Sequence, residues 1–415
     1  MLLEALLTLC YDVILASVSA PWILARRFKK QKGPNLSERL GLKIPNSGGR
    51  PVIWIHAVSV GETKAARPLF LRLKKIYPDA FFLVTHATQT GHEEAKRSLA
   101  SADHFAYLPL DLSFVVRRWA KALKPTHFIL IEGDFWWNLL NALKNVRCKL
   151  TLVSGKISKK SASRFAKIPF FAKRLFGLFD VFCVKSEEES ARFAPFRKTI
   201  HITGNIKFDL EPMSVISLPL PLQSNLPTLT IASTHPLEEK LLLEALHPLL
   251  PRLKIFLAPR HPERFSEVEL LLKEKNISFI RWSEKEKATG HETIVLMDCM
   301  GQLPVCYAHS LLTLVAGSFI DHIGGHNVLE PCLYGCPSLF GPHAFSQKEL
   351  TAHVLHAKAG LEIGIKDICV TIEKLMDNPL LLKEMQTAAR NLFADGGKAT
   401  EKTVSLIEGV RDAAP

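Results

Sequence analysis

Residues 51–78, PVIWIHAVSVGETKAARPLFLRLKKIYP, carry the pattern that decides the fold. A continuously apolar run leads into a turn that contains Ser and Gly, and an amphipathic helix pattern follows, so the segment predicts one β-loop-α unit. Strands that are apolar on both faces are typical of a parallel sheet covered by helices on each side. The same pattern recurs in FFLVTHAT (81–88), THFILIEGD (126–134), KLTLVSGKIS (149–158) and DVFCVKSEEESARF (180–193).

A second series of the same kind begins after a segment rich in Pro and Ser. Its apolar runs are TLTIAST (228–234), KIFLAPRHPERF (254–265), SFIRWS (278–283), TIVLMD (293–298), LLTLVAGSF (311–319) and CPSLFGP (336–342). The duplication predicts an α/β protein with two Rossmann-like, doubly wound domains that face each other across a cleft. The predicted parts are a membrane-anchor helix (1–24), an N-terminal domain (25–208), a linker (209–226), a C-terminal domain (227–395) and a C-terminal helix (396–415) that could pack back on the N-terminal domain.

The composition indicates a globular protein with an anionic partner. Hydrophobic residues make up 47% and charged residues 22% of the 415 residues, and the formal net charge is +13. Nucleic acid, acidic lipid headgroups and phosphorylated substrates would all complement that charge. The eight cysteines form no CxxC pair, which is typical of reduced, mostly buried thiols in a cytosolic environment and gives no zinc-ligand spacing.

The first 24 residues are strongly apolar but contain two acids, Glu4 and Asp12. The basic cluster RRFKKQK (26–32) follows them, which is the reverse of the order in a secretory signal peptide. The order fits an uncleaved membrane anchor whose C-terminal side is cytoplasmic. Roughly 20 apolar residues could span a bilayer, although the two acids leave a helix lying on the membrane open. A buried first helix is the alternative to membrane attachment.

Polar residues cluster where the predicted strands end, and doubly wound sheets bind their ligands there. In FIDHIGGHNVLEP (319–331), the paired glycines permit positive φ and a close approach of the backbone to a ligand. The His-Asn pair would stand at a helix N-terminus that attracts an anion, and the glutamate could accept hydrogen bonds from a ribose diol. The structural alternative is an Asn N-cap with an acid three residues later. These candidates are Gly324, Gly325, His326, Asn327 and Glu330.

Three further strand ends could complete a nucleotide-phosphate pocket. PRHPERF (259–265) places an arginine, the natural partner of a phosphate, between two prolines that stiffen the loop. A surface salt bridge is the alternative role for this arginine. STH offers two hydroxyls and an imidazole, and the Met-Gly pair that follows TIVLMD could present backbone groups to a base. The residues concerned are Arg260, His261, Ser233, Thr234, His235, Met300 and Gly301.

The N-terminal domain contributes different candidates. HAVSVGE (56–62) has a turn of small residues that opens a helix, with Glu62 either near a ligand or complementing the helix dipole. In NLSERLG, Glu38 lies in a basic segment and is a candidate general base for an acceptor hydroxyl. Alternatively, Glu38 is an ordinary acid in the first turn of a helix and has no catalytic role. IEGD (131–134) resembles an acidic metal motif only superficially, so no metal is predicted.

Several ordered motifs together resemble one known family, the Kdo transferases of lipopolysaccharide assembly, over essentially the whole chain. The motifs are HAVSVGE, YLPLDL, IEGDFWWN, TGNIKFD, AST-H, PRHPERF, MGQL and GGHNVLEP with GPH-x-F. The resemblance implies an inverting GT-B glycosyltransferase that moves one or more 3-deoxy-D-manno-oct-2-ulosonic acid (Kdo) residues from CMP-Kdo to a lipid A precursor (lipid IVA). It places the reaction at the cytoplasmic face of the bacterial inner membrane. It also implies no cofactor, anionic membrane lipids as partners, and no nucleic acid.

The same resemblance implies roles for individual residues. Glu38 would be the general base, whereas Arg260, Asn327 and Glu330 would hold CMP. Lys207 would face the cleft. The acceptor or Kdo side would be lined by Ser59, Gly61 and Glu62.

The chain departs from the family pattern at several positions. The segment IEGDFWWN replaces the ETELWPN that is common in the family. Lys156 replaces an arginine, and Gln302 replaces a glutamate. These departures leave open the acceptor preference and the number of Kdo units, and the oligomeric state is equally open. The main alternative is another GT-B nucleotide-sugar enzyme, either a transferase with a different donor or an epimerase. A membrane-tethered nucleic-acid-binding protein is disfavoured because no basic stripe interleaved with aromatics occurs outside the anchor flank.

Overall fold

The chain folds into two compact α/β units. The computed structural model describes residues 36–212, 217–219, 222–394 and 398–412, together with positions 7–9, 11–13, 15 and 17. One unit comprises Met1–Leu210 together with Gly396–Pro415, and the other comprises Glu211–Asp395.

The first unit is built on a parallel sheet with the strand order β3-β2-β1-β4-β5-β6-β7. Its strands are β1 (Val52–His56), β2 (Phe81–His86), β3 (His104–Tyr107), β4 (His127–Ile131), β5 (Lys149–Gly155), β6 (Val181–Val184) and β7 (His201–Ile202). The helices that precede the second unit are α1 (Leu36–Arg39), α2 (Val60–Ile76), α3 (Gln89–Ser98), α4 (Ser113–Leu123), α5 (Trp137–Asn145), α6 (Lys159–Ala166), α7 (Pro169–Gly177) and α8 (Glu187–Phe193).

Both faces of this sheet are covered, as continuously apolar strands require. On one face, the ring centroid of Trp54 lies 5.5 Å from that of Trp119 and 5.4 Å from that of Phe128. On the other face, the centroids of Phe70 and Phe82 lie 5.3 Å apart. Since the faces are filled with apolar side chains, polar chemistry is confined to the ends of the strands.

The second unit repeats the architecture with the strand order β10-β11-β9-β8-β12-β13-β14, again with parallel neighbours. Its strands are β8 (Thr228–Thr234), β9 (Lys254–Pro259), β10 (Phe279–Arg281), β11 (Ile294–Leu296), β12 (Leu312–Val315), β13 (Ser338–Phe340) and β14 (Gly360–Glu362). Its helices are α9 (Glu238–Ala245), α10 (Phe265–Glu274), α11 (Leu303–Ala308), α12 (Leu329–Leu333), α13 (Lys348–His356), α14 (Ile368–Met376) and α15 (Pro379–Asn391).

The last helix, α16 (Lys398–Asp412), packs on the first unit against α2 and β6. Ala399, Val404 and Ile407 are buried in the same apolar cluster as Phe70. A buried carboxylate fixes the beginning of this helix, because Asp209 accepts a hydrogen bond from the backbone N–H of Thr400 at 2.5 Å.

The sequence patterns missed the strands β3, β7 and β14. Each of these strands lies at the edge of its sheet. His104 in β3 and Glu362 in β14 are exposed, and β7 has only two residues. A search for continuous apolar runs finds strands that are buried on both faces, so it overlooks short edge strands with one open side.

Two predicted segments are only partly described. Leu218 and Leu222, from the segment predicted as a linker, are buried against Phe256 and Trp282 of the second unit. The predicted anchor helix (1–24) lies largely outside the described residues and stays a prediction.

Asp12 is one of the described positions of that N-terminal segment. Its carboxylate accepts hydrogen bonds from the backbone N–H of Ser113 at 3.0 Å and from Nδ2 of Asn138 at 2.7 Å. This acid is therefore bound to the starts of α4 and α5 in the first unit. Within the described ranges, every helix falls short of the length and hydropathy that a bilayer span requires.

We expect Asp209→Ala to lower the free energy of unfolding of the first unit by about 1–2 kcal/mol, because the buried N–H of Thr400 loses its acceptor. Chemical denaturation followed by tryptophan fluorescence measures this, since four of the described tryptophans lie in that unit. The exposed Asp79→Ala serves as the control. An equal loss in both variants would contradict the role assigned to Asp209.

Candidate active site

Each sheet has one point at which the strand order reverses, and the loops there diverge and leave a crevice. In the second unit the reversal lies between β8 and β12, and in the first between β1 and β4. The loops that follow these strands contain most of the candidate residues. Each unit therefore has its own group of polar side chains at the carboxyl edge of its sheet.

The glycine pair of the second unit adopts the conformation that the sequence predicts. Gly324 and Gly325 have φ values of 93° and 83°. A Cβ on Gly324 would lie 2.8 Å from Cε2 of Phe345, and one on Gly325 would lie 3.0 Å from Cα of Ala344. The close approach that these glycines permit is thus made by a loop of the chain itself, and any Cβ here would push that loop away.

A buried carboxylate ties the two loops of this crevice together. Glu238 accepts hydrogen bonds from the backbone N–H groups of Gly317 at 2.7 Å and of Phe319 and His235 at 3.1 Å. Burial raises its pKa, and the three N–H donors oppose that effect. The acid three residues after His235 is a capping signal that can be found in the sequence. The bonds to Gly317 and Phe319 span about 80 residues and could not be foreseen.

His235 and His326 form a stacked pair above this carboxylate. Their rings are 5.0 Å apart with an interplanar angle of 8°, and the two Nε2 atoms are 2.8 Å apart. Burial lowers the pKa of His235 to about 4 and that of His326 to about 3. Both rings are therefore neutral at pH 7, with one Nε2 donating and the other accepting. His261, exposed, lies with its ring centroid 5.3 Å from that of His235.

The two arginines of the loop PRHPERF have different roles. Arg264 is buried and forms paired contacts to the buried Glu239 as well as to Glu267. Arg260 is half-buried and lowers the pKa of both stacked histidines, so its positive charge lies close to them. Within the described residues, no ion pair or hydrogen bond engages its guanidinium, and the surface salt bridge considered as its alternative is not formed.

The remaining candidates for the nucleotide occupy the rim of the same edge. Ser233 has a φ of 60°, and its neighbour Thr234 is fully buried with no hydrogen-bond partner for Oγ1 among the described residues. Gly301 has a φ of 83°, and Met300 is exposed. A strained serine and an unsatisfied buried hydroxyl at a strand end are features that cluster at ligand sites.

The helix after the glycines begins later than the sequence predicts. Helix α12 starts at Leu329, so His326 and Asn327 precede it rather than open it. Oδ1 of Asn327 accepts the backbone N–H of Leu329 at 2.9 Å, which is an Asx turn just before the helix, whereas the N-cap is Val328 and not the asparagine. Glu330 lies in the first turn of this five-residue helix.

In the first unit, Glu62 lies in the first turn of α2 and its carboxylate binds the backbone just before the helix. Ser59 is the N-cap of α2 and accepts the N–H of Glu62 at 3.4 Å, while the Glu62 carboxylate accepts the N–H of Val58 at 2.6 Å. The arrangement differs from a capping box, because the acid binds the N–H of the residue before the N-cap rather than that of the N-cap itself. Nothing lies within 4 Å of a Cβ placed on Gly61, so the space above this turn is open.

Glu132, at the end of β4, is a buried carboxylate held by two lysines. Nζ of Lys207 lies 2.5 Å from its Oε1, and Lys156 contacts its Oε2. The two ammonium groups lower the pKa of Glu132 against the opposing effect of burial. Lys207, which the family resemblance implies faces the cleft, is a partner of Glu132 in the structure.

Glu38 lies in the four-residue helix α1 beside the edge strand β3. Its Oε2 accepts the backbone N–H of Tyr107 at 3.4 Å. Burial lowers the pKa of His92 and of His104, and the negative charge of Glu38 opposes that shift in both, so the carboxylate is close to the two rings. His92 stacks on the ring of Tyr107 at 4.8 Å.

Comparisons with known proteins agree with this architecture. A family model described as 3-deoxy-D-manno-octulosonic-acid transferase (kdotransferase) matches residues 34–210. A 3-deoxy-D-manno-octulosonic acid transferase of Chlamydophila psittaci is 35% identical over 382 residues, which cover 89% of this chain and 88% of the relative. The enzyme of the same description from Haemophilus influenzae is 30% identical over 418 residues, which cover 97% of each.

Solved structures are similar in fold. A UDP-GlcNAc 2-epimerase from Neisseria meningitidis, determined with UDP-GlcNAc bound, matches with a TM-score of 0.58 at 14% sequence identity. The match covers 86% of this chain and 100% of that one. At this identity the likeness concerns the fold alone, which is the two-domain GT-B class.

The neutral histidine pair predicts a pH dependence of stability. The folded pKa values of about 4 and about 3 lie below the unfolded value of 6.5, so the unfolded chain binds protons first. Stability from this pair is therefore complete above about pH 6.5 and is lost as the pH falls toward 4. We expect His326→Gln to remove part of this dependence.

Urea denaturation at pH 7 and at pH 4.5, followed by circular dichroism, tests this expectation. The wild type should lose more free energy than His326→Gln by up to about 1.4 kcal/mol for each pH unit between the two pKa values. The exposed His247→Gln is the matched control and should follow the wild type. A variant at position 326 with the wild-type pH dependence would contradict the interpretation.

Proposed function

The chain belongs to the family of 3-deoxy-D-manno-octulosonic acid (Kdo) transferases, and on that premise we propose that it moves Kdo from CMP-Kdo to a lipid A precursor. We further propose that the anomeric configuration inverts and that the reaction takes place at the cytoplasmic face of the inner membrane. The donor is assigned to the second unit and the acceptor to the first.

The donor assignment rests on Arg260, whose guanidinium has no carboxylate partner among the described residues. An arginine at the ligand-binding edge of a doubly wound sheet, with no carboxylate paired to it among the described residues, is suited to a phosphate. The neighbouring pair His235 and His326 is neutral and adds no charge, and the ring that accepts at Nε2 can donate its Nδ1–H to an anion. A nucleoside monophosphate linked to an acidic sugar fits this set of groups.

The nucleoside would be bound by the loops beside this arginine. Oγ1 of Thr234 is buried without a partner, which a ligand hydroxyl or phosphate oxygen would satisfy. Gly301 has positive φ and Met300 is exposed, and we assign the backbone of this turn to the base. Asn327 and Glu330 remain candidates for the ribose, although the Asn327 side chain also closes a local turn.

Glu38 is the proposed general base. It would take the proton from an acceptor hydroxyl whose oxygen then bonds to the anomeric carbon of Kdo. The bond from that carbon to the CMP phosphate oxygen breaks, and CMP leaves with the electron pair. Arg260 would stabilise the negative charge on the departing phosphate.

The charge of the protein supports an acceptor at a membrane surface. The formal net charge of +13 complements a phosphorylated lipid and the anionic headgroups around it. The basic cluster 26–32 follows the apolar N-terminal segment and would lie near that surface if the segment is membrane-associated.

Arg260 and Arg264 form a matched pair of substitutions for testing the donor site. We expect Arg260→Ala to weaken CMP binding by about tenfold or more and to leave the melting temperature unchanged, because only an anion contact is lost. We expect Arg264→Ala to lower the melting temperature, because Glu239 is left buried without its partner. Calorimetric titration with CMP and with UDP, together with thermal unfolding, measures both effects. Tighter binding of UDP than of CMP would favour a different donor.

We expect the purified full-length protein to increase the mass of a tetraacylated lipid A precursor in Kdo-sized steps when it is supplied with CMP-Kdo. Mass spectrometry of the lipid counts the steps. Glu38→Gln should reduce turnover by about 100- to 10,000-fold, as loss of a general base typically does. The exposed Glu93→Gln serves as the control. Near-normal turnover by a folded Glu38→Gln protein would exclude the base assignment, and an unmodified lipid with the wild type would exclude this donor and acceptor.

A further inference from the structure

The first unit contains a cavity that none of the roles described so far explains. Its volume is about 490 Å³, which is in the range of small-molecule sites. It lies at the reversal point of the first sheet, where the loops after β1 and β4 diverge, and it is extended by the loop after β5 and by α6 and α8. Its principal lining side chains are Glu62, Asp134, Phe135, Lys156, Phe165 and Arg192.

The backbone of the loop after β4 is held in an unusual conformation. Glu132 and Asp134 have φ values of 63° and 68°, in the left-handed region, on either side of Gly133. Residues other than glycine adopt this region at an energetic cost, and such residues cluster at functional sites. The lysine contacts of Glu132 fix one side of the loop, and Asp134 is exposed at the cavity on the other side. Its carboxylate has no hydrogen bond or ion pair within the described residues.

The charges of the cavity argue against a phosphate. Its two cations are already paired, since Lys156 contacts Glu132 and Arg192 binds Glu189. Lining acids outnumber lining cations, because Glu62, Asp134 and Glu189 face this space. An anion would therefore meet cations that already have carboxylate partners, whereas hydroxyl groups could donate to the Asp134 carboxylate.

Two aromatic side chains provide an apolar wall. Phe135 and Phe165 are both half-buried, and each lies with its ring centroid 5.0 Å from that of the buried Phe176. Packing against Phe176 therefore sets the orientation of both rings. Aromatic faces next to carboxylates suit a sugar ring, whose C–H groups are apolar and whose edge carries hydroxyls.

We propose that this cavity is a subsite for an uncharged, hydroxyl-rich sugar ring of the acceptor, with Asp134 accepting its hydroxyls and Phe165 packing against its C–H face. The phosphates of the acceptor bind outside it. This assignment rests on the proposed function for the identity of the acceptor. It also identifies Asp134 and Phe165 as the residues that select the sugar.

Binding can be measured without turnover. The probes are an N-acetylated β-1,6-linked glucosamine disaccharide without phosphates and its phosphorylated counterpart, observed by saturation-transfer NMR with the full-length wild type. We expect saturation of the ring protons in both probes, and inorganic phosphate should not displace the phosphate-free disaccharide. Asp134→Asn keeps a residue that tolerates positive φ, and Phe165→Ala removes the apolar wall; each should weaken binding about tenfold or more.

The control is Lys160→Ala, an exposed position of α6 outside the cavity, which should bind like the wild type. In the transfer assay, both cavity variants should raise the acceptor KM about tenfold and leave the CMP-Kdo KM unchanged. Unaltered sugar binding and acceptor KM in folded variants would overturn the subsite. Competitive displacement of the phosphate-free disaccharide by inorganic phosphate would overturn the exclusion of anions from the cavity. If the wild type binds the disaccharide through these residues yet transfers no Kdo, the sugar site stands and the proposed donor or acceptor fails.

Discussion

A parallel sheet that is covered on both faces leaves only the ends of its strands for polar chemistry. Both units obey this constraint, and in both the groups that can bind a ligand lie at the carboxyl edge where the strand order reverses. Backbone hydrogen bonds join some of the loops there, for example from the N–H of Gly325 to the carbonyl of Gly317 at 2.7 Å. Individual side chains that reach from one loop to another add to these bonds.

Buried carboxylates provide most of these connections. Glu238 holds three backbone N–H groups from two loops, Glu239 holds Arg264, and Glu132 holds two lysines. A buried charge is tolerated only when it is paired or hydrogen-bonded, so these contacts are strongly specified. The loops of both sites are thereby fixed before a ligand arrives, which reduces the ordering that binding requires.

Charged side chains that take no part in these buried contacts are the candidates for binding a ligand. Arg260 lies four residues from Arg264 in one loop, and among the described residues a carboxylate is paired with Arg264 and not with Arg260. Asp134 lies two residues from Glu132, and both lysines contact Glu132. In each loop one charged residue is held by a buried partner, and its near neighbour is the one proposed to bind a ligand. Residue type alone does not distinguish the two members of such a pair.

The sequence by itself determined the two parallel α/β units, most of their strands and the loops in which polar residues collect, because apolar periodicity and strand-end position are local properties. It also determined the positive φ of Gly324 and Gly325, since no other residue type adopts that conformation so readily. Only the tertiary structure decided that Glu62 and Asn327 engage their own backbone and that Lys207 binds Glu132. The same is true of the contact between Glu238 and a loop about 80 residues away. The physical reason is that a charged side chain takes its role from the partner that burial brings to it, and that partner is usually distant in the chain.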